Sequence, residues 1–305
     1  MSPIKGPRRI AIAGASGFIG SALSKHLESL GHAVIRIGRR EDSRHGNIRW
    51  DPDNGVLDPA GLAGVRVVIN LSGVGTEKRW TPERKKQIID SRVVSTDLLA
   101  RTCAKVDPHP RVLVNMSALG YYGNRDDEEI DEDSTPGSGF LAEVVRAWEG
   151  AADPAREAGI RVVHPRTAPV LHPAGGMLAK LLPLVRLGGG AVIGSGRQWL
   201  SWISRTDAVR ALAWAALDES LCGPLIVASP TPVRNAEFMR TLARAVHRPT
   251  LVTVPEFAVR LVYGEMGQAT VLEGQRATPR QLIENCFEFE HPTLDQALAY
   301  ELKSA

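Results

Sequence analysis

The hydrophobic pattern changes period once within the first thirty residues, and that change is the strongest structural signal in the chain. Arg9-Ile10-Ala11-Ile12-Ala13 is a run of small and β-branched residues, the composition of a strand buried on both faces. Phe18, Ile19, Ala22, Leu23, His26, Leu27 and Leu30 then fall on one face of a 3.6-residue repeat, which Gly31 ends. The alternation recurs downstream. Strands are predicted at Ala33–Ile37, Ile48–Asp51, Val65–Asn70, Arg111–Met116, Ile160–Pro165 and Leu225–Pro230. Helices are predicted from Thr81-Pro82-Glu83 through Leu99, over Phe140–Glu149, over Leu178–Leu187, and from Asp207 through Leu217, with Asp207 as the helix-start carboxylate. Strands alternating with helices of this length predict an α/β protein with a doubly wound parallel sheet. From Asn235 to Leu302 short helices alternate with Pro and Gly breaks, which predicts a smaller C-terminal α+β domain. The expected division gives residues 1–170, with a returning segment at about 206–230, to the sheet. Residues 171–205 and 231–305 then form the small substrate-side domain.

Composition narrows the function classes. The 305 residues are 43% hydrophobic and 23% charged with a net charge of +3, an ordinary globular balance. No run of basic residues is interleaved with aromatics, so no nucleic-acid partner is expected. The apolar stretches are too short to span a bilayer, and Met1 to Gly6 contains no apolar leader core, so a cytoplasmic protein without a membrane partner is expected. Cys103, Cys222 and Cys286 are odd in number, widely spaced and set among apolar residues, and read as buried reduced thiols. The acidic run Asp126–Asp133 reads as a solvated loop. No metal is expected, because no ligand spacing occurs.

The period change at residues 13–20 encloses Gly14-Ala15-Ser16-Gly17-Phe18-Ile19-Gly20, a GxxGxxG turn between strand and helix. Gly14 permits a tight turn, Gly17 a close approach of backbone to a pyrophosphate, and Gly20 close packing of helix on strand. Ser16, Phe18 and Ile19 complete the surface that the helix N-terminus offers to phosphates. The sheet is therefore expected to be of Rossmann type. At the end of the second strand, where an acid would hold a ribose diol, stand Gly38-Arg39-Arg40. Arginine there accommodates a 2′-phosphate, so the expected cofactor is NADP(H). Leu71-Ser72-Gly73 leaves the fourth predicted strand at its carboxyl end and is expected beside the cofactor.

These features, with Asn70–Gly73 and Ser117…Tyr121-Tyr122-Gly123, resemble the extended short-chain dehydrogenase/reductase superfamily. Lys78-Arg79-Trp80, Ser117–Gly123, Gly194–Gln198 and Gly274–Ala277 are similar to one atypical branch, the epimerase-family proteins of family 39U. The resemblance implies a cofactor pocket that also includes Arg92, Pro165 and Thr167, with Ser117 donating a hydrogen bond on the nicotinamide side. It also implies an anionic substrate near Lys78, Arg79, Trp80, Arg197 and Trp202. The family's proton relay is a Tyr with a Lys four residues later, and it is missing. Phe140-Leu141-Ala142-Glu143-Val144-Val145 occupies that helix, leaving Ser117, Tyr121 and Tyr122 as candidate catalytic groups. His164 reads as a satisfied core histidine. Two functions stay open: an NADP(H)-dependent oxidoreductase or epimerase on a small substrate, and a non-catalytic NADPH-binding sensor. A homodimer is expected only by analogy with sheets of this kind.

Overall fold

The computed structural model describes residues 6–39, 47–188, 190–250 and 252–303. Nine strands form the central sheet: β1 (Arg9–Ala13), β2 (Ala33–Gly38), β3 (Ile48–Asp51), β4 (Val56–Leu57), β5 (Val67–Asn70), β6 (Val112–Asn115), β7 (Ser117–Ala118), β8 (Arg161–Thr167) and β9 (Gly223–Val227). Their order is β9-β8-β6-β5-β1-β2-β3-β4, with β7 pairing β8 beyond the end of β6. Every pairing is parallel except β3 with β4. The strand order reverses between β1 and β5, the switch point at which such sheets bind ligands.

The helices packed on the sheet are α1 (Gly20–Ser29), α2 (Pro82–Lys105), α3 (Phe140–Gly150) and, further on, α5 (Arg205–Leu217); α4 (Gly176–Arg186), α6 (Asn235–Ala245) and α7 (Glu256–Tyr263) lie in the segments outside it. Alternate residues of β1 serve opposite layers. Ile10 and Ile12 pack with Leu23 and Leu27 of α1 and Val209 and Leu212 of α5. Ala11 and Ala13 pack with Leu99 and Cys103 of α2. Burial on both sides explains why β1, β5 and β6 read as continuous apolar runs. Helix α2 starts as expected: Thr81 Oγ1 accepts from Arg84 N and Pro82 takes the first helical position. Helix α1 starts two residues after its apolar pattern, leaving Phe18 and Ile19 in the turn.

After β8 the chain leaves the sheet and returns through α5 and β9, then leaves again. A separate core of Leu171, Leu178, Leu182, Trp202, Phe238, Leu242 and Leu298 is drawn from both excursions. Asp207 takes the expected place in the first turn of α5, where its N–H donates to Ser204 Oγ at 3.0 Å. Its buried carboxylate also accepts from Glu290 N at 2.8 Å and His291 N at 2.9 Å, pinning the last stretch of chain. Two expectations need correcting. Cys222 and Cys286 are exposed, and only Cys103 is buried, its thiol pushed up to about 12 by desolvation. The acidic run is not wholly solvated: Glu129–Ile130 pairs with Arg276–Ala277, and Glu132 is buried, accepting from Ile226 N at 3.0 Å. No helix among the described residues is long and apolar enough to cross a membrane. No metal-ligating cluster occurs among them either.

Candidate functional site

The glycine turn lies at the switch point, and its glycines are there for want of space. Gly14 has φ +79°, and a Cβ on it would stand 3.0 Å from Leu71 C and O. A Cβ on Gly17 would be 3.2 Å, and one on Gly20 only 2.1 Å, from Gly14 O. Gly17 N donates to Gly14 O at 3.0 Å, and Leu71 N donates to Ala13 O at 2.9 Å. The two turns leaving β1 and β5 thus touch, and the first of them runs into the positive end of α1. A buried polar network holds the second turn. Asn70 Nδ2 donates to Asn115 Oδ1 at 2.8 Å and Thr96 Oγ1 at 3.0 Å, while its Oδ1 accepts from Ser72 N. Beside Gly73 runs the guanidinium of Arg92, which donates to Ile88 O at 3.1 Å and which burial lowers to about 10.

Phe18 turns away from the strand toward the segment after β8. Its ring fills the space a Cβ on Gly175 would need, at 2.4 Å, and lies 6.0 Å from the ring of His172. Nothing local to Gly175 or His172 in the sequence signals a contact with residue 18. Thr167 Oγ1 bonds Pro165 O at 3.1 Å and reaches Met116 Sδ at 3.5 Å, at the carboxyl ends of β6 and β8. At the far end, Arg39 is 73% exposed and 3.7 Å from Asp53. Arg40 lies outside the described residues.

The catalytic candidates meet in a buried ion pair. Ser117 Oγ donates to Glu149 Oε1 at 2.6 Å. Arg166 grips the same carboxylate with Nε and Nη2, both at 2.9 Å, and donates to Tyr122 Oη at 2.9 Å. Its Cζ lies 3.4 Å from the centre of the Tyr121 ring. Burial pushes the Glu149 carboxyl up, but the bonds and charge of Arg166 outweigh it and leave the group below its ordinary value. Tyr122 has no exposed surface, and burial pushes its phenol up. A sealed phenol whose oxygen is already engaged is a core residue, which corrects the expectation that Tyr122 handles a proton. Tyr121 is only partly covered. His164 is buried as expected, with Nε2 3.3 Å from Arg156 Nη2, but its Nδ1 has no hydrogen-bond partner among the described residues. Burial lowers it to about 4.

The expected substrate residues do not converge. Trp80 is 8% exposed, donates to Thr76 O and meets Phe140 edge-on at 4.9 Å, and so belongs to the packing around α3. Arg79 donates to Leu261 O at 3.1 Å, near the C-terminal end of α7. Trp202 is fully buried in the small domain, with Nε1 on Thr231 O at 3.0 Å, and has no surface to offer a ligand. Lys78 and Arg197 are exposed. Arg197 follows the tight Gly194–Gly196 turn, and its carbonyl accepts from Arg234.

A glycine turn packed on a helix N-terminus at the switch point of a parallel sheet defines a dinucleotide-binding α/β protein. Residues 10–223 match the NAD dependent epimerase/dehydratase family, and residues 254–301 match a domain of unknown function. The chain belongs to the NAD dependent epimerase/dehydratase family, in its atypical extended short-chain branch. It is 45% identical over 292 residues to epimerase family protein Mb2239 of Mycobacterium bovis, covering 95% of this chain and 96% of that one. It is 33% identical over 294 residues to epimerase family protein SDR39U1 of Homo sapiens, covering 95% and 98%. The crystal structure of human SDR39U1 (isoform2) with NADPH superposes at a TM-score of 0.88 with 31% identity, covering 97% of this chain and all of that one.

Proposed function

We propose that this protein binds NADP(H) across the turns leaving β1 and β5 and acts as an oxidoreductase or epimerase on a small substrate. The observation that carries the reading is the fit of Gly20 against Gly14: the turn is closed so tightly that even a methyl group is excluded. The human relative bound to NADPH supports the choice of cofactor. So does Arg39, whose exposed pairing with Asp53 is the weak kind a 2′-phosphate displaces. Bound there, the nicotinamide would supply a hydride donor or acceptor. The chain supplies the binding and the proton. Ser72 is held by Asn70, which Thr96 and Asn115 hold in turn, so that wall of the pocket is rigid before the cofactor arrives. Tyr121 is the phenol left accessible near the ends of β6 and β8, with the Arg166 cation on its ring face. We assign it the proton.

A second reading, a sensor that holds NADPH without turnover, is favoured by one observation. Ser117 has its hydroxyl proton committed to Glu149 inside a closed network, so it is a poor donor to a carbonyl. Protein loaded with NADPH and challenged with fractionated metabolites separates the two. Oxidation in one fraction that is lost in Tyr121→Phe supports the enzyme. Tight NADPH binding with no oxidation in any fraction supports the sensor.

A further inference from the structure

The edge of the sheet opposite the glycine turn carries an unusual concentration of one charge. Strands β5, β6 and β8 begin at or just after Arg66, Arg111 and Arg161, and Arg8 stands just before β1. These four arginines, with His109 and Glu219, line a cavity of about 470 Å³. Val67 pairs with Val112, so Arg66 and Arg111 are neighbours across β5 and β6, and Arg111 N donates to Arg66 O at 2.9 Å. Adjacent strands lie about 4.8 Å apart, so two guanidinium stems leave the sheet edge side by side into the same cavity. Like charges placed this way repel.

Two of the four have partners. Arg161 caps the C-terminal end of α5, donating to Ala215 O at 3.1 Å and Leu221 O at 2.6 Å. Arg8 lies 3.9 Å from Glu219, a loose contact with a carboxylate that is 62% exposed. Arg66 and Arg111 have no side-chain hydrogen bond or ion pair among the described residues. With Asp107 and Glu219 as the acids of the lining, the cavity keeps a surplus of two positive charges.

We propose that this cavity is a second anion site, which takes an oligophosphate between Arg66 and Arg111. Paired guanidinium groups match oxyanion geometry, each offering two parallel N–H donors. The volume exceeds what one phosphate needs and lies in the range of small-molecule sites. The lining has no aromatic ring on which a base could stack except the imidazole of His109. The phosphate chain is therefore the recognised part, whether free or carried by a nucleotide. The five residues of β1, at about 3.3 Å each, separate this edge from the glycine turn. A dinucleotide bound there leaves the cavity open.

Tripolyphosphate titrated calorimetrically into NADPH-saturated protein tests the site, with Arg66→Gln/Arg111→Gln as the comparison. The expected result is one site per chain that weakens at least tenfold in the double variant and steeply with added salt, while NADPH affinity is the same in both proteins. That unchanged affinity also shows that the variant is folded; the single exposed variant Arg111→Gln, expected to weaken binding in the same direction, is the fallback. Equal tripolyphosphate affinity in wild type and variants would overturn the proposal, as would displacement of NADPH by tripolyphosphate. Repeating the titration without NADPH reads the arginine-dependent component even if the cofactor assignment fails. Pyrophosphate binding as tightly as ADP assigns the site to the phosphate chain alone, and tighter ADP assigns it to a nucleotide.

Discussion

Glu149→Gln probes the ion pair at the heart of the site. The side chains of Arg166 and Glu149 are 5% and 13% exposed, and they share two hydrogen bonds of 2.9 Å. Glutamine keeps the shape and one acceptor oxygen but leaves the Arg166 charge buried and uncompensated. Removing one partner of a buried pair costs about 3–5 kcal/mol, far more than the loss of any single exposed contact. Urea denaturation at pH 7 should therefore show a drop of that order. The pH dependence gives a second check. The folded Glu149 carboxyl sits below its ordinary value, so the unfolded chain binds the proton more readily. Its contribution is complete above the ordinary carboxylate range, about 4.3, and is lost as pH falls through the depressed folded value. The gap between wild type and Glu149→Gln should narrow on acidification for that reason. A loss below about 1 kcal/mol at pH 7, or a gap that stays constant into acid, would refute the account of this pair.

Gly20→Ala places a methyl carbon 2.1 Å from Gly14 O and should cost about 1–3 kcal/mol with a marked loss of NADPH affinity, read by thermal melts and a binding titration. Unaltered binding would mean that the turn is looser than it looks. Arg39→Ala should weaken NADPH binding on the order of tenfold, about 1.4 kcal/mol, and leave NADH nearly unaffected; equal losses would count against the 2′-phosphate role. Trp202→Ala removes a fully buried indole from the small domain and should destabilise by about 3–5 kcal/mol without a change in NADPH affinity at low temperature. His164, lowered to about 4 by burial, should make the protein less stable as pH falls from about 6.5 toward 4, because the unfolded chain takes the proton first. In His164→Gln that part of the acid sensitivity should be missing from the melting curves.

Much of the architecture could be read from the chain alone, because it is written in short-range pattern. The strand, glycine turn and helix of residues 9–29 occupy contiguous positions, so period and composition suffice to find them. What escaped depends on distant partners. Glu132 sits in an acidic run that reads as solvated, yet its carboxylate accepts from Ile226, ninety-four positions away. Trp202 looks like a ligand-facing aromatic until the helices of both excursions close over it. The absence of the Tyr–Lys relay was legible in Phe140–Val145. The Glu149–Arg166 pair nearby was not, since an Arg inside a strand and a Glu at a helix end carry no signal that they meet. Even the glycines show the limit. Gly14, Gly17 and Gly20 announce themselves by spacing, whereas Gly175 is explained only by the ring of Phe18.

The small domain is stitched to the sheet rather than appended to it. Its core draws Leu171, Leu178 and Trp202 from before α5 and β9, and Phe238, Leu242 and Leu298 from after them. Cutting the chain after β9 would therefore not yield a free-standing dinucleotide domain. It would expose Trp202 and its neighbours and strip Asp207 of the two backbone donors from Glu290 and His291. The same stitching governs motion: three covalent crossings must flex together for the two parts to shift, whereas a single linker would let the small domain swing freely. The two parts of such an assembly shift only by slight, shared flexing, and the small domain cannot be transplanted by swapping its C-terminal segment alone.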